Sequence, residues 1–173
     1  MTEPYGHTVI CDDIREEING KITYVGVYQS DLIVNVPFPT SLPMLCFGVF
    51  YNSPRELAHE MAGMEIRVYF PGDSEDAPTV KLPGNPDVSP EFATPDRSAP
   101  PLSILVGPQQ TQAKFLVRTF MPPLKEAGHI RVRALLKSGR IVYLGALEVK
   151  STAPPTTSTA LQPPSEQSPP AAS

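Results

Sequence analysis

Short, strand-like segments constrain the fold of this chain more than any other feature of its sequence. Nine segments rich in valine, isoleucine, tyrosine and phenylalanine follow one another, and turn residues bound nearly all of them: HTVICD, KITYVGVY, DLIVNV, PMLCFGVFY, MEIRVYF, LSILVG, AKFLVRTF, HIRVRALLK and RIVYLGALEV. Such spacing is typical of antiparallel sandwiches and barrels. A parallel α/β fold needs a helix between strands, and the sequence offers only one candidate helix. We therefore predict an all-β fold, an antiparallel β-sandwich of about 7–9 strands with one short helix.

The candidate helix is SPRELAHEMAG, residues 53–63. Ser53 is a favourable N-cap, and Glu56 three residues later completes a capping box. Leu57 and Met61 are four residues apart and would share one face of the helix. We expect this face to be core, closing one edge or end of the sandwich.

Proline sets the predicted domain boundaries. The chain has 22 prolines, far more than ordinary usage, and eight of them fall in residues 71–101. A loop of this length is usually functional or an insertion. We predict a short strand at TVKL within it. Residues 151–173 are mostly proline, serine, threonine and alanine with one charge. We predict a domain over residues 1–150 and a disordered tail over residues 151–173.

The two cysteines and the N-terminus indicate the compartment. Cys11 and Cys46 each lie inside an apolar run, and no C-x-x-C pair or metal-ligand spacing occurs. The opening MTEPYGHTVICDD lacks the basic and apolar regions of a signal peptide, and no run of about 18 apolar residues occurs. We expect a cytoplasmic protein with no membrane span and with two free, mostly buried thiols.

The last two segments predict a hairpin with a defined register. With Ser138–Gly139 as a two-residue turn, Ala134 pairs with Tyr143 on the core-facing side, and Arg133 pairs with Leu144 on the opposite side. Ile141 would face the core, and Val142 would lie outside. A slip of one residue would bury the arginines, so the pattern specifies this register.

A basic face is the functional prediction. Residues 1–100 carry 15 acids and 6 bases, whereas residues 101–150 carry 2 acids and 8 bases. The segment AKFLVRTF alternates apolar and basic side chains, and pairing it with residues 129–137 would collect five basic residues on one outer face. These predicted partner-binding residues are Lys114, Arg118, Arg131, Arg133 and Lys137. Since exposed like charges on neighbouring strands repel, replacing Arg131 and Arg133 with glutamine is expected to cost little stability.

This face predicts a non-enzymatic interaction or accessory module that docks to an unknown protein partner or to a second copy of itself. Nucleic acid is disfavoured as a partner, because no aromatic stacking platform is evident among the basic residues. The alternative is a calcium- or ligand-binding module that uses the acidic loop GDSED, residues 72–76. No phosphate loop, dinucleotide fingerprint or zinc-protease motif occurs, so we predict neither an enzyme nor a cofactor.

The acidic stretch CDDIREEINGKITYVGVY, residues 11–28, predicts another hairpin. Asn19–Gly20 is a strong turn signal, which brings Glu17 and Lys21 together across the turn. Opposite charges in such a hairpin are an ordinary surface arrangement, and Arg15 would compete with a metal ion for the carboxylates. We therefore predict no metal site in this stretch.

The same stretch resembles a known sequence family. Cys11-Asp12, Arg15, Glu17, Gly20-Lys21 and Gly26 with Tyr28 are similar to the opening signature of a family of small uncharacterised bacterial and phage-associated proteins, described as a domain of unknown function. The resemblance covers roughly residues 7–150. It implies an all-β domain, and it implies no activity, cofactor or catalytic residue.

Overall fold

The computed structural model describes residues 3–18, 20–61, 63–83, 105–106 and 110–153. Its strands are β1 Tyr5–Glu16, β2 Ile22–Val27, β3 Asp31–Val34, β4 Thr40–Ser41, β5 Met44–Pro54, β6 Glu65–Tyr69, β7 Val80–Pro83, β8 Leu105–Val106, β9 Gln110–Phe120, β10 Pro123–Leu124, β11 Gly128–Leu135 and β12 Ile141–Ser151. A 3₁₀ helix, Arg55–Met61, lies between β5 and β6. The predicted tail from residue 154 onwards and most of the 71–101 segment lie outside the described residues.

Two five-stranded sheets and a small two-stranded pair contain these strands. The first sheet has the order β2-β1-β5-β9-β8, the second has the order β3-β12-β11-β6-β7, and β10 pairs with β4. The predicted all-β sandwich is confirmed. The predicted count of 7–9 strands is below the twelve in the described residues, because β4 and β10 have only two residues each and so carry no alternation, and because the short strand predicted at TVKL forms β7. The pairing is also not wholly antiparallel, since β3 runs parallel to β12.

The core lies between the two sheets. Alternate residues of β5, from Leu45 to Tyr51, enter one buried cluster together with Ile66 of β6 and Val132 of β11. The rings of Phe47 and Phe70 meet edge to face with centroids 6.3 Å apart. Full burial of a side chain of this size stabilises the fold by about 1.5–3 kcal/mol. The apolar alternation of each strand therefore fixes which of its faces points outward.

Both predicted hairpin turns are one residue longer than expected. Glu17 N donates to Lys21 O at 2.7 Å, and Leu136 N donates to Arg140 O at 2.9 Å, so each loop has three residues. The last loop residue is a glycine in the left-handed region, with φ of 72° at Gly20 and 83° at Gly139. Such loops commonly place a glycine at this position, because a side chain would be strained there.

The predicted register of the β11–β12 hairpin is correct only for its first part. His129 pairs with Glu148 and Val132 with Gly145, but Arg133 pairs with Tyr143 because the register shifts after Val132. The extra residue is a β-bulge in β12. As a consequence Val142 and Leu144 are buried while Ile141 and Tyr143 are exposed, the reverse of the predicted sides.

The predicted helix is shorter and tighter than an α-helix. Strand β5 continues through Pro54, so the Ser53 hydroxyl donates to the Pro54 carbonyl at 3.3 Å and does not cap the helix. Met61 is buried and Leu57 is half-buried, in agreement with the predicted core face. No helix within the described ranges is long and apolar enough to cross a membrane.

Strand structure continues one residue past residue 150, the predicted end of the domain. Strand β12 ends at Ser151, whose hydroxyl donates to the Val36 carbonyl at 2.8 Å. The backbone N–H of Thr152 donates to the Val34 carbonyl at 3.0 Å. These contacts tie residues 151 and 152 to the segment around β3.

Candidate functional site

The five predicted basic residues do not form one face. Strand β9 pairs with β5 in the first sheet, whereas β11 lies between β12 and β6 in the second. Lys114 and Arg118 are therefore on the outer side of the first sheet, Arg131 and Arg133 are on the outer side of the second, and Lys137 lies in the turn after β11. The predicted pairing of β9 with β11 is wrong, because the chain crosses from one sheet to the other between them instead of forming a hairpin.

The outer side of the second sheet carries its own row of cations. Lys81 of β7 pairs with Arg67 of β6, Arg67 pairs with Arg133 of β11, and Arg133 pairs with Tyr143 of β12. Neighbouring strands are about 4.8 Å apart, and like charges directly opposite one another are destabilising. We call the outward-facing set Arg67, Tyr69, Arg131, Arg133 and Tyr143 the arginine face.

Arg133 is the buried centre of the arginine face. Its guanidinium carbon is 5.0 Å from the ring centroid of Tyr69 and 5.0 Å from that of Tyr143, and its side chain is 11% exposed. Arg131 lies 5.2 Å from the Tyr69 ring with its side chain 32% exposed. Cation–π contacts of this kind stabilise a guanidinium and hold its plane in a fixed orientation.

Glu75 from the predicted acidic loop binds both of these arginines. Its Oε1 accepts from Arg131 Nη1 at 2.7 Å, and Arg133 donates to both carboxylate oxygens. The Tyr69 hydroxyl donates to the Glu75 backbone carbonyl at 3.1 Å. The Arg133 hydrogen bond and then that of Arg131 hold the pKa of Glu75 below its ordinary value.

Asp73 fixes the shape of the acidic loop. Its Oδ2 accepts from the backbone N–H of Phe70 at 3.0 Å and of Thr79 at 2.9 Å, and from the Thr79 hydroxyl at 2.7 Å. Lys125 donates to Oδ1 at 3.1 Å. Burial alone would raise the pKa of Asp73, but the hydrogen bonds from Thr79, Phe70 and Lys125 outweigh it and lower that pKa.

An open cleft of about 560 Å³ lies beside Arg131. It runs between residues 70–74, at the end of β6 and the beginning of the acidic loop, and residues 126–129, at the beginning of β11. The charged and imidazole side chains in its lining are those of Asp73, Glu126, His129 and Arg131. The cleft leaves space next to the arginine face for a side chain of a bound partner.

The cations of the first sheet have local partners of another kind. Lys114 Nζ lies 5.1 Å from the centroid of Phe50 and 6.0 Å from that of Tyr24, and burial lowers its pKa. Arg118 Nη2 donates to the Ile14 carbonyl at 2.5 Å. Aromatic rings therefore lie beside basic residues on both sheets, and these rings come from neighbouring strands.

The motif residues of the opening stretch build the β1–β2 hairpin. The Tyr28 hydroxyl donates to Asp12 Oδ1 at 2.5 Å, and burial followed by this hydrogen bond raises the pKa of Tyr28. Gly26 has a φ of 65°, and a Cβ there would collide with the Asp12 carboxylate. Arg15 Nε pairs with Asp13 Oδ2 at 3.1 Å. These contacts give the acidic motif a structural role in the hairpin.

Cys11 and Cys46 are direct cross-strand partners on β1 and β5. Both thiols are free and buried, and the Cys11 thiol donates to the Asp13 carbonyl at 3.3 Å. Burial is the main cause that raises the pKa of Cys11 to about 11 and that also raises the pKa of Cys46. A raised pKa leaves little thiolate at neutral pH, and the thiolate is the nucleophile.

We expect both thiols to react slowly with a thiol reagent in the native protein and quickly after unfolding in urea. The measurement is the labelling rate at each cysteine, read by mass spectrometry of peptides. Because the raised pKa suppresses the thiolate, the native rate should rise as the pH is increased towards 11. Rapid native labelling of Cys11 at neutral pH would contradict this expectation and support a nucleophilic role.

Comparisons of the chain with protein-family models, with curated proteins and with solved structures found no match. The family resemblance of the opening motif stays a prediction. Within the described part of the chain, no group of three or more histidine, cysteine, aspartate and glutamate side chains is placed to hold a metal ion. The arginine face is therefore the candidate site, chosen on its own geometry and charge.

Proposed function

We propose that this domain is a non-enzymatic interaction module that binds an acidic segment of a protein partner through the arginine face. The observation that carries the proposal is the contact of Glu75 with Arg131 and Arg133. Two guanidinium groups of the face bind one carboxylate here, and an acidic partner segment would present the same chemical group to them. The role of Lys114, Arg118 and Lys137 in partner binding, predicted from the sequence, is not part of this proposal.

The composition of the arginine face supports binding to protein. Tyrosine and arginine are the residues most enriched at energetically important interface positions, and here tyrosine rings hold the Arg133 guanidinium in place. Tyr143 is 71% exposed and lies beside exposed Ile141, so the face offers apolar as well as cationic contacts. We infer that the partner segment carries acidic residues with apolar ones between them.

The contacts of the acidic loop favour this proposal over the calcium alternative. Asp73 is engaged by Lys125 and two backbone amides, and Glu75 is engaged by two arginines. A calcium ion would have to replace these donors one by one. Guanidinium groups also bind phosphate, but the ligand already seated on the face is a carboxylate, which favours a protein partner over nucleic acid.

The proposal is tested by the binding of a fluorescein-labelled peptide of alternating glutamate and leucine, followed by fluorescence anisotropy. We expect the double variant Arg67→Gln, Arg131→Gln to bind about tenfold more weakly and with a flatter salt dependence. The matched control is Arg15→Gln, Arg55→Gln, which removes the same charge from exposed arginines elsewhere. The control should bind within about twofold of the wild type.

Equal binding by the arginine-face variant and the control would overturn the proposal. Binding of a labelled single-stranded oligonucleotide without binding of the peptide would replace the protein partner by nucleic acid. Concentration-dependent sedimentation that the arginine-face variant abolishes would instead identify a second copy of the chain as the partner, docking its acidic β1–β2 hairpin.

A further inference from the structure

Glu75 has two separate attachments, one through its side chain and one through its backbone. The side chain is 58% exposed and contacts Arg131 and Arg133. The backbone carbonyl accepts from the Tyr69 hydroxyl, and the loop itself is held by Asp73. The Glu75 side chain can therefore rotate away from the arginines while the loop keeps its shape.

This inference rests on the proposed function. We propose that Glu75 is an internal ligand, which occupies the arginine face in the free domain and is displaced by the acidic segment of the partner. Arg133 is nearly buried, and a buried guanidinium without a carboxylate partner would cost free energy. Exchange of one carboxylate for another avoids that cost, and the displaced Glu75 side chain returns to water. The cleft beside Arg131 provides room for the incoming segment.

This arrangement sets a threshold for binding. When a ligand competes with an internal group, its apparent affinity is the intrinsic affinity multiplied by the fraction of time that the site is free. A segment with a single carboxylate only replaces what Glu75 already provides. A segment with several carboxylates can also contact Lys81 and Arg67, of which Arg67 is already paired with Glu65 of the same strand. We therefore expect the face to select segments with more than one acidic residue.

The test compares Glu75→Gln with Asp76→Asn in the full chain, using the same glutamate–leucine peptide. Both changes remove one negative charge from the acidic loop, and Asp76 is exposed. We expect Glu75→Gln to tighten binding about tenfold and Asp76→Asn to tighten it less than about twofold. Glu75→Asp keeps the charge but shortens the side chain, so the carboxylate bridges the two arginines less well. The peptide then displaces it more easily, and we expect tighter peptide binding.

The inference and the proposed function fail in different ways. If the wild type binds the peptide, and both Glu75 variants bind it no more tightly than Asp76→Asn, Glu75 is a structural ion pair only and the inference is overturned. If neither the wild type nor either Glu75 variant binds the peptide, the proposed function is overturned and the inference with it. The gain from Glu75→Gln should also shrink in an Arg131→Gln background, because Glu75 is then held by Arg133 alone.

Discussion

Replacing Asp73 with alanine is expected to lower the free energy of unfolding by about 3 kcal/mol. The Asp73 side chain is 3% exposed and accepts hydrogen bonds from two backbone amides, a hydroxyl and a lysine. Alanine would leave the amides of Phe70 and Thr79 without this acceptor at the edge of the core. The loop that presents Glu75 to the arginine face would lose its main anchor.

Urea unfolding of the wild type and of Asp73→Ala measures this cost. The matched control is Asp76→Ala, which removes an exposed carboxylate three residues further along the same loop and is expected to change stability by less than about 0.5 kcal/mol. Equal, small effects of the two changes would show that the hydrogen bonds of Asp73 contribute little. Because Asp73 supports the loop that carries Glu75, adding Glu75→Gln to an Asp73→Ala background should tighten peptide binding less than adding Glu75→Gln to the wild type does.

The pH dependence of this stabilisation follows from the lowered pKa of Asp73. A carboxyl group whose pKa is lower in the folded protein than in the unfolded chain binds its proton more readily when unfolded. Its stabilisation is therefore fully present above the ordinary aspartate pKa of about 3.9 and is lost as the pH falls through the lower folded-state value. The difference between wild type and Asp73→Ala should be constant near neutral pH and shrink in acid.

The faces of individual strands could be predicted from the sequence, but their neighbours could not. Alternation correctly placed Ile130 and Val132 inside and Arg131 outside, because the apolar or polar character of each residue decides its side. Nothing in that alternation records that β9 and β11 belong to different sheets. For this reason the predicted single basic face is not formed, although both of its strands exist and point their basic residues outward.

Turns and bulges show a finer limit of the same kind. The glycines at positions 20 and 139 correctly marked the hairpins, but a glycine in the left-handed region suits two-residue and three-residue loops alike. A change of one residue in loop length, compensated by the bulge after Val132, reversed the sides of Ile141 and Val142. Local residue preferences therefore located the hairpins and did not determine the complete register.

The charge split of the sequence pointed to a real contact without identifying its members. Acidic residues dominate before residue 100 and basic residues dominate after it, and the structure joins Glu75 to Arg131 and Arg133, and Asp73 to Lys125. These partners are more than fifty residues apart, so no local pattern relates them. The acidic loop and the basic strand, predicted as two competing sites, contact each other in the structure.

Truncating Arg133 to alanine is expected to cost about 2–3 kcal/mol of stability, whereas truncating Arg131 should cost less than about 1 kcal/mol. The sequence predicted that replacing both with glutamine would cost little, because it placed both side chains on an exposed outer face. Arg133 is nearly buried between Tyr69 and Tyr143, so alanine removes the aliphatic stem, both ring contacts and the central cation of the face. Arg131 retains more contact with water and touches only one of these rings.

Urea unfolding of the two alanine variants under the same conditions provides the comparison, with peptide binding measured on each folded variant. If the arginine face is built as described, Arg131→Ala weakens peptide binding at nearly unchanged stability, while Arg133→Ala weakens both. Equal stability costs for the two variants would contradict the central position of Arg133. Arg133→Met keeps an unbranched apolar stem between the rings, so recovery of stability without recovery of binding would separate the packing role of this side chain from the role of its charge.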